Sequence, residues 1–166
     1  LAHEIAGGLG TLTIDELRFY QAKANGNQGG AGMEIMVCYT GSASSRQALE
    51  LALWHAKVFN AKLYLVASMK KGTAEDQEDI NKIEAAHHEA LEKVGQEGID
   101  CETRLLVRGF SPGEDLVHYA GEENVDEIVI GIRKRSKTGK RIFGSIAQHI
   151  ILNAPCPVVT VKQRST

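Results

Sequence analysis

The chain has 166 residues, of which 43% are hydrophobic and 24% are charged, a composition typical of one globular domain with its own core. Its formal net charge is −2, so we expect neither nucleic acid nor an anionic membrane as a partner. The three cysteines have no C-x-x-C spacing and therefore indicate neither a disulfide framework nor a zinc site. Because the sequence lacks an apolar run of about 18 residues and a signal-peptide pattern, we expect a protein of the reducing cytoplasm.

Residues 1–32 differ in composition from the rest of the chain. Residues 25–32 read NGNQGGAG, which is typical of a flexible linker. A capping box that starts at Thr13 predicts a short helix, with Tyr20 on its apolar face. We expect this arm to be an appendage or a segment added by cloning, with the functional domain in residues 33–166.

From Met33 onward, short apolar runs alternate with longer amphipathic segments, as in successive strand–helix–strand units. The runs are mostly continuous, as in Ile128-Val129-Ile130, which indicates strands covered on both faces. This predicts an α/β fold with an open, doubly wound, five-stranded parallel sheet and helices on both faces. The predicted strands are Ile35–Tyr39, Lys62–Ala67, Thr103–Val107, Glu127–Ile130 and Val158–Val161, and the predicted helices are Ser45–Phe59, Glu75–Glu97, Gly113–Glu122 and Ser145–Leu152.

The expected ligand site follows from this topology. Open parallel sheets bind ligands beyond the carboxyl ends of their strands, near the point where the strand order reverses. The first and fourth strands should flank that point. The turns after Tyr39 and Ile130 are therefore the segments to search.

The stretch from Gly131 to Ser145 carries features of a phosphate site. A glycine at the strand end lets a ligand approach the backbone, and Gly144 with Ser145 places free N–H donors at a helix start, where phosphate is favoured. The Ser145 hydroxyl would either bond to a phosphate oxygen or only cap its own helix. Six cations and no acid lie between the glycines, which indicates either an anion site or a solvated basic loop; they are Arg133, Lys134, Arg135, Lys137, Lys140 and Arg141.

This stretch resembles the nucleotide-binding members of the universal stress protein family, which carry Gly, two residues, Gly, nine residues, then Gly-Ser or Gly-Thr. Gly131 and Gly144-Ser145 match this motif in identity and spacing, while Lys134 stands at the middle glycine. The segment Ala154-Pro155-Cys156-Pro157, and Val107-Arg108-Gly109 followed by Pro112, are also similar to the family. The resemblance covers residues 33–166 and implies a Rossmann-like fold of the adenine nucleotide alpha hydrolase type.

The resemblance implies a bound adenine nucleotide, with ATP expected and AMP or ADP as alternatives, and Mg as an accompanying ion. The family's Asp-Gly-Ser after the first strand reads Thr40-Gly41-Ser42 here, so a carboxylate is replaced by a hydroxyl. Val66 would border the adenine, and the backbone of Ile146 would join the phosphate contacts. The implied binding residues are Thr40, Gly41, Val66, Gly131, Ile132, Arg133, Lys134, Gly144, Ser145 and Ile146.

The sequence contains no nucleophile paired with a base and no G-x-x-x-x-G-K-[ST] loop, so we assign no catalytic residue. The histidines lack metal-ligand spacing and are each predicted to be surface or half-buried residues. We therefore expect a stress-response regulator that holds its nucleotide, with slow ATP hydrolysis as one alternative and a protein-interaction module without nucleotide as another. The resemblance also implies a homodimer through the last strand, at Pro157–Lys162, because an apolar edge strand favours pairing with another chain.

Overall fold

A computed structural model describes residues 18, 20–22, 32–133 and 143–162. Five parallel strands form one sheet in the order β3-β2-β1-β4-β5, which confirms the predicted doubly wound α/β fold. None of the helices within these ranges is long and apolar enough to cross a membrane. In chain order the elements are β1 Glu34–Cys38, α1 Ala43–Phe59, β2 Lys62–Ser68, a 3-10 turn Ala74–Asp76, α2 Gln77–Gln96, β3 Cys101–Leu106, α3 Pro112–Glu122, β4 Glu127–Ile132, α4 Ser145–Asn153 and β5 Val158–Lys162.

Each face of the sheet has its own hydrophobic cluster. Val129 packs with side chains of α1 and α2, whereas its neighbours Ile128 and Ile130 pack with side chains of α3 and α4. Successive strand residues point to opposite faces, so a strand covered on both sides needs apolar residues throughout. This explains the continuous apolar run that the sequence shows in β4.

The helix starts are defined by local signals. Ser42 is the N-cap of α1, where its side chain accepts a hydrogen bond from the Ser45 backbone N–H. Ser111 and Glu114 form a capping box at the start of α3, with Pro112 as the first helical residue. In a parallel sheet with right-handed crossovers, these starts lie at the carboxyl edge of the strands. The fold thus brings helix amino termini to the edge where the ligand is expected.

At the amino edge of the sheet, Tyr20 of the arm packs into the core. Only 4% of Tyr20 is exposed, and its ring stacks on Phe59 at a centroid distance of 5.1 Å. Its hydroxyl lies 2.5 Å from Oε2 of the fully buried Glu127, whose Oε1 lies 2.6 Å from Nδ1 of His55. Tyr20 is therefore part of the core, while Thr13 and residues 25–31 lie outside the described residues.

The prediction that each histidine is a surface or half-buried residue is wrong for His55 and His87. His55 is 7% exposed and pairs with Glu127, and His87 is 5% exposed with Nε2 lying 3.0 Å from the Tyr39 carbonyl oxygen. Both rings find polar partners inside the domain, which removes the main penalty for burying an imidazole. Helical periodicity alone does not reveal those partners.

Candidate functional site

A pocket of about 270 Å³ opens at the carboxyl ends of β1, β2 and β4. β1 lies between β2 and β4, so the pocket occupies the reversal point that the sequence predicts. The starts of α1, α3 and α4 also contribute to its wall. The lining residues are Cys38, Thr40, Ser42, Ser44, Ser45, Val66, Ala67, Ser68, Pro112, Leu116, Ile130, Gly131, Ile132, Arg133, Gly144, Ser145, Ile146 and Ala147.

Eight of the ten predicted binding residues lie in this lining. Gly41 is not among the lining residues, and Lys134 lies outside the described residues. Gly41 has a φ of +76°, and a Cβ there would lie 2.5 Å from the Cβ of Ala86. A glycine is therefore required at position 41, both by the left-handed backbone of the turn and by the close packing of α2. The eight are Thr40, Val66, Gly131, Ile132, Arg133, Gly144, Ser145 and Ile146.

Gly131 is required by a close backbone contact. A Cβ at this position would lie 2.1 Å from the carbonyl oxygen of Ser44, in the first turn of α1. Any side chain would therefore push β4 and α1 apart. A glycine is required here because the start of α1 packs directly on the end of β4. The same contact forms one wall of the pocket.

Gly144 has different surroundings. It is the N-cap of α4 with φ −62° and ψ 154°, a conformation open to any residue, and a Cβ there would meet no described atom within 4 Å. Among the residues that the structure describes, no side chain caps this helix start. Because Gly144 is the cap, Ser145 does not cap its own helix as one alternative supposed. The first N–H groups of α4 are left for another acceptor, and a glycine keeps the approach to them clear.

A cluster of hydroxyls follows β1 in place of a carboxylate. Thr40 Oγ1 lies 3.2 Å from Ser42 Oγ, which lies 3.1 Å from Ser45 Oγ and 3.3 Å from Ser44 Oγ. The Ser45 hydroxyl also lies 3.0 Å from the Ser42 carbonyl oxygen. Hydroxyls both donate and accept, so this cluster can adjust to ribose or phosphate oxygens.

An ion pair between a buried carboxylate and a partly exposed guanidinium supports the pocket wall at the end of β2. Asp115 is fully buried, and its Oδ1 lies 2.6 Å from Nε of Arg108. Its Oδ2 lies 2.7 Å from Oγ of Ser68, the last residue of β2. The position of Asp115 in the first turns of α3 does not by itself reveal these two partners. The pair fixes the Ser68 hydroxyl at the pocket wall.

The described lining contains few groups suited to catalysis. Burial raises the pKa of the Cys38 thiol to about 12, so this thiol stays protonated at neutral pH and is a poor nucleophile. Mg²⁺ is usually held through one or two carboxylates, and the lining side chains just named include none. These residues therefore do not fit a protein-held Mg²⁺, and no step is assigned to one.

Sequence reasoning missed three serines at the start of α1 and Ser68. The rule that ligands lie beyond strand carboxyl ends was applied only to the first and fourth strands, although β2 ends beside β1. Hydroxyl residues soon after Cys38 and at the end of β2 were the available signal. The missed serines are the N-cap Ser42 and the first-turn residues Ser44 and Ser45.

Known proteins are similar to this chain over most of its length. Residues 33–162 match the profile of the Universal stress protein family. A universal stress protein structure from Archaeoglobus fulgidus is 36% identical, with a TM-score of 0.70 over 82% of this chain and 98% of that one. This chain belongs to the universal stress protein family.

Two further solved structures of the family contain nucleotides. The universal stress protein from Archaeoglobus fulgidus in complex with dAMP is 30% identical, with a TM-score of 0.64 over 78% of this chain and 97% of that one. A universal stress protein in complex with cAMP is 26% identical, with a TM-score of 0.62 over 81% of this chain and 99% of that one.

Proposed function

We propose that this chain binds an adenine nucleotide in the pocket between β1 and β4 and acts as a dimeric stress-response regulator in the cytoplasm. The observation that carries the proposal is the start of α4. At Gly144, no described side chain caps or obstructs the first N–H groups of the helix, which lie at the pocket. Such a helix start favours a phosphate group, because its N–H groups point at the ligand and its dipole favours negative charge.

The rest of the pocket suits the other parts of a nucleotide. Arg133 adds a positive charge beside the helix start, and the hydroxyl cluster around Ser42 can meet ribose oxygens. Val66 and Leu116 provide apolar contact for the base at the end of β2. The family members bound to dAMP and cAMP support an adenine nucleotide, and we retain ATP as the expected ligand with AMP or ADP as alternatives.

Two measurements test the binding. Purified protein is heated and the supernatant examined for released adenine absorbance, and ATP, ADP and AMP are then titrated by calorimetry. We expect either a nucleotide that copurifies with the protein or binding of added nucleotide with a Kd in the millimolar range or below. Absence of both at millimolar nucleotide would overturn the proposal and favour the interaction module without nucleotide.

We propose binding without efficient catalysis. No described lining residue offers a carboxylate or imidazole that could serve as a base for an attacking water. ATP incubated with the protein should therefore remain largely intact over the time in which binding reaches equilibrium. Rapid turnover in the purified protein would refute this part of the proposal.

A further inference from the structure

The pocket wall at Ser68 and Asp115 suggests how the protein recognises the base of the nucleotide. This inference rests on the proposed nucleotide binding. Asp115 accepts from Arg108 on one oxygen and lies 2.7 Å from Oγ of Ser68 on the other. Arg108 also lies 2.7 Å from Oε2 of Glu122 and 3.2 Å from the Asp115 carbonyl oxygen. The guanidinium is thus held on three sides, and it fixes the carboxylate in turn.

This arrangement sets the direction of the Ser68 hydrogen bond. The hydroxyl of Ser68 donates this hydrogen bond, and the carboxylate oxygen of Asp115 accepts it. A hydroxyl has one proton and two lone pairs. Toward the pocket, Ser68 therefore presents lone pairs only, and it can bond only to a ligand group that donates.

The position of Ser68 places these lone pairs at the base end of the pocket. Ser68 follows Val66 and Ala67 at the end of β2, beside Leu116 of α3, whereas the uncapped helix start lies with Gly144 on α4. The geometry points to Ser68 as a specificity-determining residue, oriented by Asp115 and Arg108, that accepts a hydrogen bond from the exocyclic amino group of the base. A purine with a carbonyl at that position would place its oxygen against the lone pairs of Ser68 Oγ. Because neither atom can donate a hydrogen bond, binding of that purine would be disfavoured.

The comparison of AMP with IMP tests this assignment, because the two differ in the exocyclic group and in the protonation of the adjacent ring nitrogen. Both are titrated by calorimetry into the wild-type chain and into S68A, S68T and S111A. Wild type should bind AMP more tightly than IMP. In S68A the ratio of the two affinities should fall about three- to tenfold, whereas S68T should keep the wild-type ratio because its hydroxyl remains. S111A removes a hydroxyl from the start of α3, the helix that carries Asp115, and Ser111 lies outside the pocket lining, so this variant should keep the wild-type ratio.

Asp115→Asn tests the orienting role separately. An amide can donate to Ser68, which frees the hydroxyl to donate to IMP, so the AMP to IMP ratio should fall even where overall affinity changes. Equal ratios in wild type and S68A, with both nucleotides bound, would overturn the Ser68 assignment and leave the proposed binding intact. Failure of wild type to bind either nucleotide would overturn the proposed function and this inference together.

Discussion

Gly131 and Gly144 delimit one sequence motif but experience different constraints. At Gly131 a Cβ would lie 2.1 Å from the Ser44 carbonyl oxygen, while at Gly144 it would meet nothing within 4 Å in the described part of the chain. Spacing in the sequence treats the two glycines alike. The structure separates a glycine needed for packing from one that leaves a helix start open.

The two glycines should therefore respond differently to alanine. Gly131→Ala should lower the free energy of unfolding by about 1–3 kcal/mol or more, because backbone atoms must move apart. Gly144→Ala should change stability by less than about 1 kcal/mol but weaken nucleotide binding, because its methyl group enters the approach to α4. Urea denaturation and calorimetric titration measure the two effects. Unchanged stability of G131A, or unchanged affinity of G144A, would contradict the respective role.

His87 should make stability depend on pH. Burial lowers its pKa below the ordinary value of 6.5, so the folded chain favours the neutral ring. The neutral ring of His87 contributes its full stabilisation above about pH 6.5. This stabilisation is lost as the pH falls from there toward the lower pKa of the folded state, because the unfolded chain then binds more protons than the folded chain. Between pH 7 and pH 5, His87→Gln should lose less stability than wild type.

The neighbouring histidine provides the control for this experiment. His88 is exposed and adjoins Glu92 on the same helix, with Nε2 3.3 Å from Oε1. His88→Gln should therefore leave the wild-type pH profile nearly unchanged. Thermal or urea unfolding across the pH range compares the two variants. An identical acid slope in wild type and H87Q would assign the pH dependence to other groups.

At the scale of the element, β5 is an edge strand with apolar residues. It pairs with β4 on one side, and Val159 and Val161 are only half-buried against the cluster beneath α1. Exposed edges of this kind favour pairing with another strand. This supports the proposed homodimer through Pro157–Lys162.

Lysine substitutions at the two edges of the sheet test that dimer. Val159→Lys should yield monomers, because it places a charge at the proposed contact while the lysine stem still covers part of the apolar surface. Thr103→Lys lies on β3, the opposite edge of the sheet, and should leave the dimer intact. Light scattering gives the mass, and circular dichroism verifies that both variants fold. Dimers in V159K would place the interface elsewhere.

At the scale of the whole molecule, the arm and the domain share one buried polar network. Tyr20 and His55 both contact the fully buried carboxylate of Glu127. A buried carboxylate that loses a hydrogen-bond donor carries the cost of an unsatisfied charge. We therefore propose that the segment around Tyr20 stabilises the domain.

Tyr20→Phe should lower the free energy of unfolding by about 1–3 kcal/mol, since it removes the hydroxyl from Glu127 and keeps the ring on Phe59. Tyr119→Phe is the matched control. Tyr119 is also buried, but its hydroxyl has no hydrogen-bond partner in the described part of the chain, so its loss should be neutral or stabilising. Urea denaturation compares the two. Equal effects of both substitutions would mean that the Tyr20 hydroxyl contributes nothing through Glu127.

The α/β fold, the order of its elements and the edge at which the pocket opens could all be predicted from the sequence. The signals used were continuous apolar runs, glycines after strands and helix-start residues. They depend on local periodicity and backbone conformation, which neighbouring residues in the sequence determine. Gly144 was placed in the pocket on this basis, whereas Thr40 and Val66 were implied by the family resemblance. The departure of Thr40 from the family's aspartate was also evident from the sequence.

The partners of the buried polar groups could not be predicted from the sequence and are seen in the folded chain. Asp115 meets Arg108 and Ser68, and Glu127 meets Tyr20 across 107 residues of sequence. These contacts depend on how separate elements pack, and no local pattern encodes a partner that lies so far along the chain. The same holds for Gly131, whose requirement comes from the Ser44 backbone on another element. Packing between elements thus fixed the details of the pocket that local sequence could only locate.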